Sequence, residues 1–369
     1  MRASAQFIGS EIYRGSSYGK WHPLRVPRVS TVMDLSRALG WLPAQRYVTS
    51  PRAKPAALQA WHHADYVAAV LQAECRQSVT ERDRSRFQIG TVTNPVFPEM
   101  FSRPATGVGG ALLAGEMLRE GGIVYQPGGG THHGMPDHAN GFCYFNDPVF
   151  AILSLRRNGA RRIAYIDIDA HHPDGVEHGF GNDPDCLMMS VHEAGLWPRS
   201  GALRTGGPAT LNLPVRRGFH DDEMAFLREE LILPALQAFR PDAIVLQCGA
   251  DGAEDDPQSH LGLSNNAHWS VVHALIGMAP RLLVQGGGGY NPWSVGRLWT
   301  GVWGVLSGQD IPDRLPSEAE AVLRDLQFPN NRRGRNPPEH WFTTLRDPYR
   351  GGTVDADLRR DAREVLSRL

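Results

Sequence analysis

The chain has almost no charge of its own: 38 Lys and Arg stand against 39 Asp and Glu in 369 residues. Without a net field it has no long-range pull on nucleic acid or an anionic membrane, and neither is expected as a partner. Cysteine is scarce as well. Cys75, Cys143, Cys186 and Cys248 are widely scattered and form no C-x-x-C pair. No apolar run approaches the roughly 20 residues of a membrane span. Met1 to Ser10 also lacks the basic and then apolar regions of a secretory signal. Together these absences lead to the expectation of a reduced, cytoplasmic protein.

Nothing in the composition suggests disorder, and there is no internal repeat. Hydrophobic residues make up 41% of the chain, enough for a large core, while 40 glycines and 27 prolines imply many shaped loops. Short apolar runs at Gly122 to Gln126, Arg162 to Asp169, Cys186 to His192, Ala243 to Gly249 and Arg281 to Gly286 read as buried strands. Helical patterns lie between them at Met100 to Glu120, Asp147 to Asn158, His220 to Phe239 and Asn266 to Met278. This alternation predicts an α/β fold with a mostly parallel central sheet and helices on both faces. With no composition shift or linker between residues 20 and 310, residues 1–311 are expected to form one domain with its core over about 18–310. Residues 312–369 are richer in charge and proline and read as an extension packed on that domain. Arg332-Arg333-Gly334-Arg335 within it reads as a solvated loop rather than a binding patch.

The most informative segment is Tyr165-Ile166-Asp167-Ile168-Asp169-Ala170-His171-His172-Pro173-Asp174, an apolar strand that runs into carboxylates and imidazoles. Buried charges of this density must be ion-paired or metal-bound. Further polar clusters follow other strands: Gly128-Gly129-Gly130-Thr131-His132-His133, Gly249-Ala250-Asp251 and Gly286 to Tyr290. Any one alone reads as a loop satisfying local hydrogen bonds. Ligands of parallel sheets, however, bind at the carboxyl ends of the strands, where all four clusters fall, so they are expected to share one site. Asp169 and His171 can point the same way from extended chain, and Asp251 can complete three ligands. Three protein ligands with an open position describe catalytic zinc, a Lewis acid that activates water. His132 and His133 supply a proton acceptor and donor, and Asp167 and Asp174 can each hold one histidine in its working tautomer. The glycines before Tyr290 let backbone come close to a substrate and leave the phenol free to donate to an oxyanion.

These segments, with Asn140-Gly141-Phe142-Cys143-Tyr144-Phe145-Asn146-Asp147, resemble those of the zinc-dependent histone deacetylases. That family includes acetoin-utilisation proteins and acetylpolyamine amidohydrolases. The resemblance covers roughly residues 18 to 310 and implies the single-domain arginase/deacetylase fold. It implies zinc on Asp169, His171 and Asp251, His133 as general base and acid, and His132 as its electrostatic partner. It further implies that Asp167 and Asp174 orient the histidines, that Tyr290 stabilises the tetrahedral intermediate, and that Gly141 and Gly288 contact substrate. A potassium ion is implied near the zinc, on Asp167, Asp169, His171, Ser190 and the Val191 carbonyl. Arginase shares the fold but bridges two manganese ions through carboxylates. Pro173 and Ala253 stand at the corresponding positions here, which argues for one catalytic metal and amide hydrolysis.

Protein-directed members hold the substrate backbone with a rim aspartate, where this chain has Thr93 in Thr91-Val92-Thr93-Asn94-Pro95. A hydroxyl cannot clamp two amides with a charge. In the acyl-lysine channel Phe142 matches one aromatic wall, Trp197 replaces the second, and Gln258 replaces an aliphatic residue. Gln258 is uncharged where a polyamine deacetylase carries a glutamate. The leading expectation is a zinc amidohydrolase removing an acyl group, acetyl in the first instance, from an amine such as acyl-lysine. The rivals are a deacetylase of small acylated amines such as acetylpolyamines, and a non-catalytic acyl-ligand binder or scaffold. An oligomer is compatible with any of these. His62, His63, His178, His220, His260 and His268 are expected at helix ends or on the surface, and Trp293 and Trp299 in the core.

Overall fold

The structure, a computed structural model, describes residues 5–328, 331 and 334–369. Arg332 and Arg333 of the expected arginine loop lie outside the described residues. Eight strands form one sheet: β1 (Gln6–Gly9), β2 (Tyr47–Thr49), β3 (Gly122–Gln126), β4 (Ile163–Asp167), β5 (Cys186–Glu193), β6 (Thr210–Val215), β7 (Ala243–Gln247) and β8 (Arg281–Gln285). Their order is β2-β1-β3-β8-β7-β4-β5-β6, and every neighbouring pair is parallel. The sheet is therefore wholly rather than mostly parallel. It also takes in β1, ahead of the expected core start at residue 18. Three strands, β1, β2 and β6, had no counterpart in the sequence reading.

Successive strand residues point to opposite faces, so each strand contributes to two cores. Ala164, Ile166, Ile244, Leu246, Leu282 and Val284 enter one buried cluster, while Ile163, Tyr165, Ala243, Val245 and Leu283 enter the other. The first face is covered by helices such as Asn265–Leu275 and Pro292–Ser307, the second by Ser102–Met117 and Asp147–Arg157. Such two-sided cover is what makes the strands apolar throughout. Trp293 and Trp299 are buried in the first cluster, as expected. Leu315, Trp341, Leu345, Leu358 and Val365 belong to that same cluster, so the segment after Pro312 shares the core of the domain.

The expected helix His220 to Phe239 is broken into Asp221–Leu227, a wide turn Arg228–Ile232 and Leu233–Phe239. Pro234 has no N–H for the carbonyl four residues back, which suits a widened turn just before it. No described helix is long and apolar enough to cross a membrane.

Two helices start directly from the loops that carry polar motifs. Asn146 caps Asp147–Arg157 by accepting from Val149 N–H (3.2 Å), with Pro148 in the first turn. Asn291 caps Pro292–Ser307, accepting from Trp293 N–H (3.1 Å) and Ser294 N–H. These caps satisfy otherwise orphaned donors and fix where each loop ends.

Candidate active site

The strands β3, β8, β7 and β4 lie side by side in the middle of the sheet, so four motifs distant in sequence meet at one edge. Their last residues are in register, giving a row Gln126–Gln285–Gln247–Asp167–Ser190. The three glutamines escaped the sequence reading, although each ends an apolar run. Gln247 Nε2 donates to Asp169 Oδ2 (3.1 Å), and Gln285 Nε2 donates to Gln126 Oε1 (3.0 Å) and Asp147 Oδ2 (2.6 Å). Below them Trp299 Nε1 donates to Cys248 O (2.8 Å), tying the helix Pro292–Ser307 to the end of β7.

Asp169, His171 and Asp251 offer ligand atoms that all lie within 4.8 Å of one another. His171 Nδ1 is 3.1 Å from Asp169 Oδ1 and 3.0 Å from Asp251 Oδ2. Both carboxylates are fully buried, and one imidazole cannot neutralise two of them. Burial and the charge of Asp169 raise the pKa of Asp251. Burial opposes ionisation of Asp169 too, but His132 and His171 hold it well below the usual carboxylate range. The backbone is shaped for these oxygens. A Cβ on Gly288 would come 2.0 Å from Asp251 Oδ2, and one on Gly249 2.1 Å from Asp169 Oδ2. An Asp–His–Asp set converging in a buried glycine cradle fits a small divalent cation.

His132 and His133 stand beside this set. His132 Nδ1 is 2.8 Å from Asp167 Oδ2, which also accepts from Tyr165 Oη (2.6 Å). His133 Nδ1 is 2.7 Å from Asp174 Oδ1, and Asn140 Nδ2 donates to the other oxygen of Asp174 (2.9 Å). The two rings are 3.9 Å apart, close enough to set each other's charge. Burial alone would lower His132, but the carboxylates of Asp167 and Asp169 raise it to about 9. Burial and the charge on His132 instead press His133 down to about 4, so it is neutral and able to accept a proton.

Tyr290 lines the same cavity as His132, His133, Asp169 and His171. Burial raises its phenol well above 10, keeping the hydroxyl protonated as a donor. Its backbone N–H donates to Asp256 Oδ2 (2.6 Å), and Asp256 Oδ1 accepts from Gln258 N–H (2.9 Å). Asp256 is thus a fully buried strut between the Asp251 loop and the Tyr290 loop, with its own carboxyl pushed up to about 8 by burial and by Asp251. Sequence reasoning missed it because a surface Asp-Pro turn reads the same way.

Gly141 and Phe142 both have positive φ, 52° and 69°. An aromatic residue held there is strained by roughly 1–2 kcal/mol, a kind of distortion that clusters at ligand sites. Phe142 is held by its N–H to Asn94 Oδ1 (3.0 Å) and faces Tyr290, ring centroids 6.0 Å apart. Trp197 stands edge-on to His133 at 4.6 Å and is 42% exposed, so it walls the entrance. Thr93 is exposed, and its hydroxyl pairs with that of Thr91 (3.1 Å). Gln258, expected with Phe142 in the channel, instead faces a separate groove bordered by Tyr290. Asp167 and Ser190, two of the residues expected around a potassium ion, are register partners on β4 and β5.

Two expectations about histidines need correction. His62 is buried, Nδ1 3.0 Å from Met135 O while Nε2 accepts from Asn146 N–H (3.1 Å), so it joins the loop after His133 to the following cap. His268 is also buried, its Nε2 3.0 Å from Gly249 O beside Asp251. His62 lies in the bend between the helices Pro55–Leu58 and Ala64–Arg76 and His268 in the first turn of Asn265–Leu275, and the burial of each is fixed by neighbours that sequence alone does not reveal.

A wholly parallel sheet whose carboxyl edge joins a buried Asp–His–Asp set to braced histidines belongs to a hydrolytic enzyme. Comparison with known proteins narrows the class. A family model described as "Histone deacetylase domain" matches residues 22–306. The chain is 32% identical to the acetoin utilization protein AcuC of Bacillus subtilis over 327 residues, 85% of this chain and 84% of that protein. It is 35% identical to histone deacetylase 2 of Oryza sativa subsp. japonica over 311 residues, 81% of this chain but only 60% of the rice protein. The crystal structure of a histone deacetylase homologue from Aquifex aeolicus superimposes with a TM-score of 0.93 at 31% identity, covering 99% of this chain and all of that one. A homologue complexed with SAHA gives the same TM-score at 32% identity and 99% of this chain. The chain belongs to the histone deacetylase family, and its enzymatic class is deacetylase.

Proposed function

We propose that the chain is a zinc-dependent amidohydrolase that removes an acyl group, acetyl in the first instance, from an amine. The observation that carries this reading is the convergence of Asp169, His171 and Asp251 beside a neutral, carboxylate-braced His133 and the phenol of Tyr290. Asp169, His171 and Asp251 would hold the zinc. When bound, the ion supplies a Lewis acid for the amide carbonyl and for a water molecule. With its Nδ1–H donating to Asp174, His133 offers Nε2 as the atom that takes a proton and later returns it to the leaving amine. His132, paired with Asp167 and with its ring 3.9 Å from that of His133, tunes the basicity of that base. The Tyr290 hydroxyl donates to the carbonyl oxygen as negative charge builds there. Asp167, Asp169, His171, Ser190 and the Val191 carbonyl form the proposed potassium site at the ends of β4 and β5.

A small acylated amine is the favoured substrate. Thr93 at the rim carries no carboxylate to clamp peptide amides, and its hydroxyl is shared with Thr91. All four cysteines are free, which supports a reducing, cytoplasmic setting. The test is hydrolysis of acetyl-lysine peptides and small acetylated amines by the zinc-loaded enzyme, before and after chelation. Zinc-dependent release of acetate from the small amides is expected. Turnover that survives both chelation and Asp251→Ala would sink the reading.

A further inference from the structure

The wall residue Phe142 sits at the tip of a two-residue turn. Asn140 and Cys143 close it, with Asn140 N–H donating to Cys143 O (3.0 Å) and Cys143 N–H donating to Asn140 O (2.8 Å). Gly141 and Phe142 between them have φ of 52° and 69°, and two consecutive positive φ angles are what a type I′ turn demands. The second of these positions ordinarily takes glycine, so a phenylalanine stays there only if its surroundings hold it. The turn also sets the spacing of the channel walls. A Cβ on Gly141 would stand 2.3 Å from the Trp197 ring and 2.9 Å from His133 Cδ2, so the backbone here is pressed against both.

Both backbone polar groups of Phe142 are taken by side chains from far along the chain. Its N–H donates to Asn94 Oδ1 (3.0 Å), and its carbonyl accepts from Tyr18 Oη (3.2 Å). Asn94 is 2% exposed, and each of its polar groups is engaged. Its Nδ2 donates to Gln88 O (3.0 Å), its N–H donates to Thr91 Oγ1 (3.0 Å), and its carbonyl accepts from Thr91 N–H (3.2 Å). The residue is thus anchored in the rim loop that carries Thr93 and reaches across to the wall. Alanine at 94 would leave the Phe142 N–H without its acceptor and remove what offsets the left-handed conformation.

We propose that Asn94 is a positioning residue that holds Phe142 in its left-handed conformation and thereby fixes the wall of the acyl channel. This rests on the amidohydrolase reading, in which Phe142 walls that channel, and adds to it the residue that sets the wall. Such a wall touches the carbon chain of the substrate in the ground state and the transition state alike. Losing its placement therefore weakens binding and spares the chemical step.

The experiment measures kcat and KM of Asn94→Ala, Phe142→Ala and the double variant on an acetylated alkylamine, each as the zinc-loaded full chain. Asn94→Ala is expected to raise KM at least fivefold with kcat within twofold, and to change KM less than twofold once Phe142 is already alanine. An unchanged KM, equal effects in both backgrounds, or a loss carried by kcat overturns the inference. Asn94→Asp keeps an acceptor for the Phe142 N–H and should stay within twofold of the parent. A loss as large as that of Asn94→Ala would assign the effect to the Gln88 bond instead and overturn the inference too. If Asn94→Ala does not fold, Asn94→Ser, whose hydroxyl ends one bond short of the amide oxygen, carries the same expectations. Hydrogen exchange of the Phe142 amide reads the clamp without turnover, and should be at least tenfold faster in the alanine variant than in the parent. No turnover by the parent would refute the amidohydrolase reading and leave exchange to decide the clamp. Turnover with KM untouched by Asn94→Ala would refute the clamp alone.

Discussion

Replacing Gly288 with alanine places one methyl group between the two carboxylates proposed to hold the metal. The backbone at 288 is not in the left-handed region, unlike Gly287 (φ 144°) and Gly289 (φ 136°), so alanine can adopt it and the effect is steric alone. The new Cβ would stand 2.0 Å from Asp251 Oδ2 and 2.9 Å from Asp169 Oδ2, with ordinary contact beginning at 3.4 Å. Asp251 must therefore retreat by about 1.4 Å, the difference between 2.0 and 3.4 Å, far outside the roughly 0.2 Å tolerance of metal–ligand distances. Disturbing an outer-shell partner of a metal ligand costs 10- to 100-fold in affinity, so displacing a ligand should cost at least about 100-fold, or ~2.7 kcal/mol. The overpacking penalty is about 1–3 kcal/mol, small enough for a domain of this size to remain folded. Gly107→Ala is the control: it borders the same cavity, but its Cβ would meet nothing closer than 3.6 Å. The assay is zinc affinity by competition with a chelator, with circular dichroism to confirm folding. If folded Gly288→Ala bound zinc within threefold of the parent, the assignment of Asp251 and Asp169 as ligands would be wrong.

Tyr290→Phe should keep zinc by elemental analysis and lose 10²- to 10³-fold in kcat, as removal of one oxyanion donor does; retained turnover would remove that role. Asp174→Asn deprives His133 Nδ1 of its charged partner, so kcat should fall by about 10² with metal content unchanged, and an unchanged rate would show that Asp174 is only structural. Burial lowers His62 from 6.5 to about 3 in the folded protein. The unfolded chain then binds the extra proton between those values, so stability falls as pH drops from 6.5 toward 3, by about 1.4 kcal/mol per unit from this group. His62→Gln, which can still donate to Met135 O and accept from Asn146 N–H, should flatten that slope in urea unfolding at stepped pH; an unaltered slope would contradict a neutral buried His62.

Much of the fold was legible because five strands are continuous apolar runs, as strands buried on both faces must be. β2 is only three residues long and partly exposed, β1 only four, and β6 carries Asn212 and Pro214. None of them has a period or composition that separates it from a loop. The site was legible where chemistry is concentrated in short motifs, as in Asp167 to Asp174. It was not legible where a common residue gains meaning from burial, as with Asp256, His62 and the row Gln126–Gln285–Gln247. Gln258 shows a subtler limit: its residue type spoke about substrate charge, but its placement beside Tyr290 rather than beside Phe142 depended on how two loops and the C-terminal segment meet.

The sequence by itself determined the donor set, the pair of histidines and the alternation that yields a parallel sheet, because these are local patterns of residue type and spacing. Tertiary structure alone decided that β3, β8, β7 and β4 are neighbours, and so which motifs share a site. Only the packed fold could set His132 and His133 on opposite sides of neutrality, since those shifts come from burial and from charges brought together across the carboxyl edge of the sheet.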